Sequence, residues 1–129
     1  MITTTEVGNI ICNDCRIFGI PVYRFGNIPN GELKDERIVI YVKSLTPDEI
    51  WESVFVNVNL CVPDKRGKAE LVRLGELERI AREEFRSKTS MYDNTRYTYS
   101  VSSSSIEEDS ALKCHFVNIR LKFDILNVI

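Results

Sequence analysis

From Trp51 to Val62 the chain alternates side-chain character along a long β-rich run, and no other stretch constrains the fold as tightly. Val54, Val56, Val58, Leu60 and Val62 fall on one side of an extended chain, because successive strand side chains point to opposite faces. Phe55, Asn57, Asn59 and Cys61 fall on the other. Two asparagines inside a β-branched run argue against a helix, so the spacing predicts a strand with one face in the core. Pro63 has no N–H to give to a ladder and closes it.

The flanks supply partners for this strand. Arg37 to Ser44 carries Ile38, Val39, Ile40, Tyr41 and Val42, apolar on both faces, which predicts a central, doubly covered strand pairing with Trp51–Val62 as an antiparallel hairpin. Pro21 to Phe25 predicts a short strand. Gly26-Asn27-Ile28-Pro29-Asn30-Gly31, followed by the charged Glu32 to Glu36, predicts an exposed loop.

Two helices are expected. Thr3 and Glu6 have the spacing of a capping box, and Val7, Ile10, Ile11 and Phe18 lie at helical intervals, predicting a helix over 4–18 with Gly19 and Pro21 as stop signals. Leu71, Leu74, Leu77, Ala81 and Phe85 recur at steps of three and four, predicting a second helix over 68–86 whose stripe lies on the sheet. Ser87 to Asn94 reads as a loop. Alternation returns at Thr95, with Tyr97, Tyr99 and Val101 on one face. Ser102 to Ser110 reads as a serine-rich turn before a last strand over 111–128. Apolar positions in that strand change parity, from Leu112, Cys114 and Phe116 to Val117, Ile119, Leu121, Phe123 and Ile125, which predicts a β-bulge. Unbroken, it would run about 60 Å, so the final hairpin either breaks or projects.

The resulting expectation is one α+β domain over 1–129: an antiparallel sheet of four to five strands with two helices on one face, in the order α-β-β-β-α-β-β. The formal charge of −2 gives no global bias toward nucleic acid. No run approaches the ~18 apolar residues of a membrane span, and Met1 to Glu6 lacks the basic and apolar regions of a signal peptide. The reading is a protein kept in the cytoplasm of the producing cell, with no membrane or specific nucleic-acid partner and no cofactor.

Chemistry-bearing residues are few. Cys12 and Cys15 form a C-x-x-C, the spacing of a redox pair or of half a zinc site. No second pair and no βαβ context accompanies them, and Cys15 also fits the apolar side of the first helix. Cys61 and Cys114 read as small buried hydrophobes. His115 is the only histidine, and its neighbour Cys114 points to the opposite face of a strand, so the two cannot form a dyad. Arg73, Arg79, Arg82 and Arg86 interleave with glutamates along the second helix, as on a solvated face or a charged subunit contact. Tyr92, Tyr97 and Tyr99 are either interface anchors or packing residues. No catalytic motif is present, and the chain reads as a non-enzyme.

The run Phe55-Val56-Asn57-Val58-Asn59-Leu60-Cys61-Val62-Pro63-Asp64, with Gly67 and the leucine helix after it, resembles the phage tail-completion, or tail-terminator, proteins. The size agrees, as do a first helix leading to Gly19-Ile20-Pro21-Val22-Tyr23, the loop before Arg37-Ile38-Val39-Ile40, and a closing β-hairpin. The resemblance implies a non-enzymatic subunit that forms a ring, typically hexameric. The ring caps the tail tube at the head–tail junction, with further copies of itself, the tube and the head connector as partners and the virion tail as its destination. The charged helix face, the terminal hairpin and the apolar end (Leu126, Val128, Ile129) are then the contact candidates. A cellular α+β adaptor, and a small metal or redox protein built on Cys12 and Cys15, are the alternatives.

Overall fold

A computed structural model of the chain describes residues 1–127. Helix α1 (Thr4–Asp14) leads through a 3-10 turn (Cys15–Phe18) into β1 (Val22–Arg24), β2 (Arg37–Val42) and β3 (Trp51–Pro63). Helix α2 (Leu71–Glu84) follows, then β4 (Lys88–Tyr92), β5 (Thr95–Asp109) and β6 (Cys114–Leu126). The strands form a single sheet in the order β1-β2-β3-β6-β5-β4.

This corrects the expected α+β architecture. The chain is mostly β, its sheet has six strands, and the sheet is mixed because β1 runs parallel to β2. A parallel neighbour needs a crossover, which the long Phe25–Glu36 connection provides. The additional strand is β4, from the segment read as a loop. Asp93 and Asn94, with φ of 48° and 63°, turn it tightly into β5, and left-handed residues at both centre positions suit a two-residue hairpin.

β2 and β3 pair antiparallel, from Arg37 opposite Cys61 to Val42 opposite Val56. The first helix keeps its capping box, with the Glu6 N–H donating to Thr3 Oγ1 at 3.2 Å and the Thr3 N–H to Glu6 Oε1 at 3.0 Å. Gly8 has a use in it. The Arg24 guanidinium of β1 passes where a Cβ would stand and donates to Asn9 Oδ1 at 2.9 Å. A larger residue at position 8 would displace the Arg24 guanidinium from Asn9.

The main core lies between one sheet face and both helices. Val54, Val56, Val58 and Leu60 of β3 meet Val117, Ile119, Leu121 and Phe123 of β6, and Ile11, Leu74, Leu77 and Phe85 cover them. Leu71 is 64% exposed, so the buried stripe of α2 begins at Leu74. An aromatic stack closes one end: Phe123 lies 5.0 Å from Tyr97 and 5.6 Å from Tyr99, and Tyr99 meets Phe85 at 6.1 Å.

The other sheet face holds a second, smaller cluster of Leu33, Val39, Cys61 and Cys114, with Ile28, Tyr41, Leu112 and Phe116 packed against it. It explains the parity change in the last strand. β6 is continuous; its even residues near the start serve this cluster and its odd residues serve the main core. The bulge lies instead in β5, between Val101 and Ser103. Two expected loops are corrected as well. Leu33, inside the supposedly exposed 26–36 loop, is buried, and the serines after Ser102 continue β5 as far as Asp109. Val128 and Ile129, two of the apolar contact candidates, lie outside the described residues.

His115, at the start of β6, is held by Asp64 at 2.7 Å through Nδ1 and approached by Glu108 at 3.5 Å through Nε2. The Asp64 hydrogen bond raises its pKa above the ordinary value. A folded-state pKa above the unfolded ~6.5 means that the imidazolium's contribution is complete below about pH 6.5 and is lost as pH rises through the folded value. Thermal unfolding at about pH 6 and about pH 8.5 should therefore show a larger alkaline loss in the native chain than in His115→Gln. Equal losses would mean that the ring does not ionise against Asp64.

Candidate interaction surface

Helix α2 is amphipathic for a simple reason: Leu74, Leu77 and Ala81 repeat at helical spacing and enter the core. The turns between them must face away from it. Arg79, Arg82 and Arg86 are carried there, beside Glu78 and Glu83, and with Val101 to Ser104 of β5 they line an open groove of about 930 Å³. Ser104 Oγ donates to Glu78 Oε2 at 2.7 Å, fixing the helix against the strand at the groove floor. The β5 bulge lies at this point, where an extra residue bends the strand and re-aims its side chains.

Beyond the groove, β5 has a free side. β4 covers it only from Thr95 to Tyr99, and among the described residues no strand pairs with its outer edge from Ser100 to Asp109. That is about 30 Å of edge at roughly 3.3 Å per residue. Unpaired N–H and C=O groups along such an edge are a template for another strand. Helix α2 also leaves Leu71, Val72 and Ile80 exposed near the arginines. Apolar side chains interleaved with arginine are the composition of a protein contact.

The structure brings together only some of the residues singled out in the sequence. Arg79, Arg82 and Arg86 share the groove, but Arg73 does not. Its Nε and Nη2 donate to Glu36 at 2.7 and 2.8 Å, tying α2 to the segment ahead of β2. That bidentate bond, with Glu76 beside it, raises the guanidinium's already high pKa. Tyr97 and Tyr99 are buried in the aromatic stack, and Tyr92 is half-buried against the same core. The Tyr99 hydroxyl donates to Asp14 Oδ2 at 2.6 Å, and burial first, then this bond, pushes the phenol up.

No protein-family model and no curated protein sequence matches the chain. Its surfaces therefore carry the functional argument. Cys15 is buried in the 3-10 turn and Cys12 is half-buried beside it, and burial pushes both thiols up. Metal binding and thiol exchange need the thiolate, which this setting disfavours. Among the described residues no three His, Cys, Asp or Glu side chains are grouped to hold a metal ion, and no helix is long and apolar enough to cross a membrane.

Sequence reasoning missed the β5 edge because a serine-rich segment with charged ends has the composition of a turn. The one signal available was Ile106 within it. Ile106 is opposite Val117 in the β5–β6 ladder, in register with the core face.

Proposed function

We propose that the chain is a structural, non-enzymatic subunit of a phage or prophage tail, acting in tail completion at the head–tail junction by assembling with copies of itself into a ring. The unpaired outer edge of β5 from Ser100 to Asp109 is the observation that carries this reading. A ring needs two different patches on each subunit, joined head to tail so that rotation closes the set. The edge is one extended patch, and the exposed α2 face with Val72, Ile80 and Arg79 is the candidate for the second. The resemblance of the Phe55–Asp64 run and its following helix to tail-completion proteins supplies the biological setting.

Light scattering coupled to size-exclusion chromatography, with negative-stain imaging, tests the reading. The native chain should form a closed assembly of several copies. Ser102→Lys combined with Ser105→Lys places charges on the exposed edge, a device that blocks edge pairing. This variant should be monomeric with an unchanged melting temperature. A native chain that stays monomeric at high concentration and does not bind tail tube would overturn the proposal, as would an assembly indifferent to the two lysines.

A further inference from the structure

On the sheet face away from the helices, Arg37 occupies a place where a charge is hard to keep. It opens β2 opposite Cys61 and is only 9% exposed. Its Nε is buried and meets no hydrogen-bond acceptor among the described residues. The guanidinium forms no ion pair with any of their carboxylates. Its charged-form partner among those residues is the Cys61 thiol, which a hydrogen bond from Cys114 and then the Arg37 charge hold below the usual thiol range. Arginine stays protonated in proteins, so a buried guanidinium left this way calls for an anion.

Arg37 lines a cleft of about 390 Å³, within the size range of small-molecule sites. Ile28, Leu112 and Phe116 form apolar walls, and Asn59 and Asp109 are the nearby polar groups. Asn59 Oδ1 accepts from Asn118 Nδ2 at 2.7 Å, which leaves the Asn59 amide N–H groups to donate. Tyr41 also lines the cleft, and burial pushes its phenol up, so the hydroxyl keeps its proton as a donor. Asp109 Oδ1 is engaged by the Leu112 N–H at 3.1 Å in the turn that joins β5 to β6.

We propose that this cleft binds a small organic monocarboxylate with an apolar stem, its carboxylate on Arg37 and its stem against Ile28, Leu112 and Phe116. The planar guanidinium fork matches a carboxylate in two parallel hydrogen bonds. Asp109 lines the same cleft and repels any anion there, so a singly charged carboxylate is favoured over a more highly charged phosphate. The apolar walls reward a hydrocarbon stem that a bare inorganic anion lacks. This site is separate from the β5 edge and stands whether or not the chain assembles.

Hexanoate titrated into the isotopically labelled full chain, followed by NMR, tests the proposal. Saturable shifts are expected at the Arg37 side chain, the 28–31 loop and the 109–112 turn. Hexanol and inorganic phosphate should each bind at least tenfold more weakly. Arg37→Met, with its folding checked by the same spectra, should lose at least tenfold in hexanoate affinity; if that variant does not fold, the comparison of the three probes on the native chain still decides. The proposal is overturned if hexanoate gives no saturable shift, if its shifts map elsewhere, or if phosphate or hexanol binds as tightly. Equal hexanoate binding to folded Arg37→Met overturns it too.

Discussion

Replacing Phe123 with alanine should lower stability by about 3–5 kcal/mol and the melting temperature by roughly 10–20 °C. Phe123 is fully buried and sits on β6, between β3 and β5, opposite Val54 on one side and Tyr99 on the other. Its ring stacks on Tyr97 and Tyr99 with interplanar angles of 12° and 10°. Truncation removes the transfer free energy of the ring and leaves a cavity that rigid strands on both sides cannot close. The loss spreads further, because Tyr99 is also the residue that donates to Asp14 of α1. With typical domain stabilities of about 5–15 kcal/mol, one such change removes a large share. Phe25 is the control: it is 73% exposed and touches mainly Tyr41, at 5.5 Å between centroids. Phe25→Ala should shift stability by less than about 1 kcal/mol. Chemical unfolding of both variants checks the pair, and similar losses would mean that the stack does not organise the core.

The elements legible in the sequence are those with one face in the main core. β3 shows its alternation because Val54 to Leu60 meets the helices while Asn57 and Asn59 face away. The capping box of α1 is local chemistry and is visible without tertiary information. β4 was invisible for the opposite reason. Thr89, Ser90 and Met91 are exposed, so no period-two apolar signal exists, and only Asp93-Asn94 marks the turn. β1 is too short for its pattern to reveal direction; its parallel pairing depends on where the 25–36 segment crosses. Leu71 fitted the apolar stripe by spacing, but it lies at the first turn of α2, beyond the edge of the core.

The candidate surfaces divide along similar lines. The arginines of α2 were legible as an outward face, because helical periodicity separates them from the leucines. Which of them act together was not, since Arg73 is claimed by Glu36, far away in the chain. The β5 edge depends on β4 stopping at Tyr92, a fact of strand length that composition does not encode. Arg37 was the least legible. In the sequence it heads a strand, where a charge ordinarily reaches water. In the fold, the 28–31 segment and the Asp109 to Phe116 turn and strand both gather over this sheet face around it.

That burial makes the sign of a second substitution informative. Arg37→Met should raise stability by about 1–2 kcal/mol, the opposite of the usual result for an inward-facing residue. Keeping a guanidinium out of water without a paired carboxylate costs several kcal/mol even after local relaxation. Against this stands the packing of its hydrocarbon stem beside Val39 and Cys61, which methionine, unbranched and of similar length, largely retains. Removing the charge while keeping the stem should leave a net gain, read as a melting temperature several degrees higher. A loss of more than about 1 kcal/mol would mean that the guanidinium is well satisfied in the folded chain, and the case for a carboxylate site would fall with it. Added hexanoate provides the cross-check. A ligand that binds only the folded state stabilises it by RT ln(1 + [L]/Kd), so hexanoate in excess of its Kd should raise the native melting temperature and move that of the variant far less.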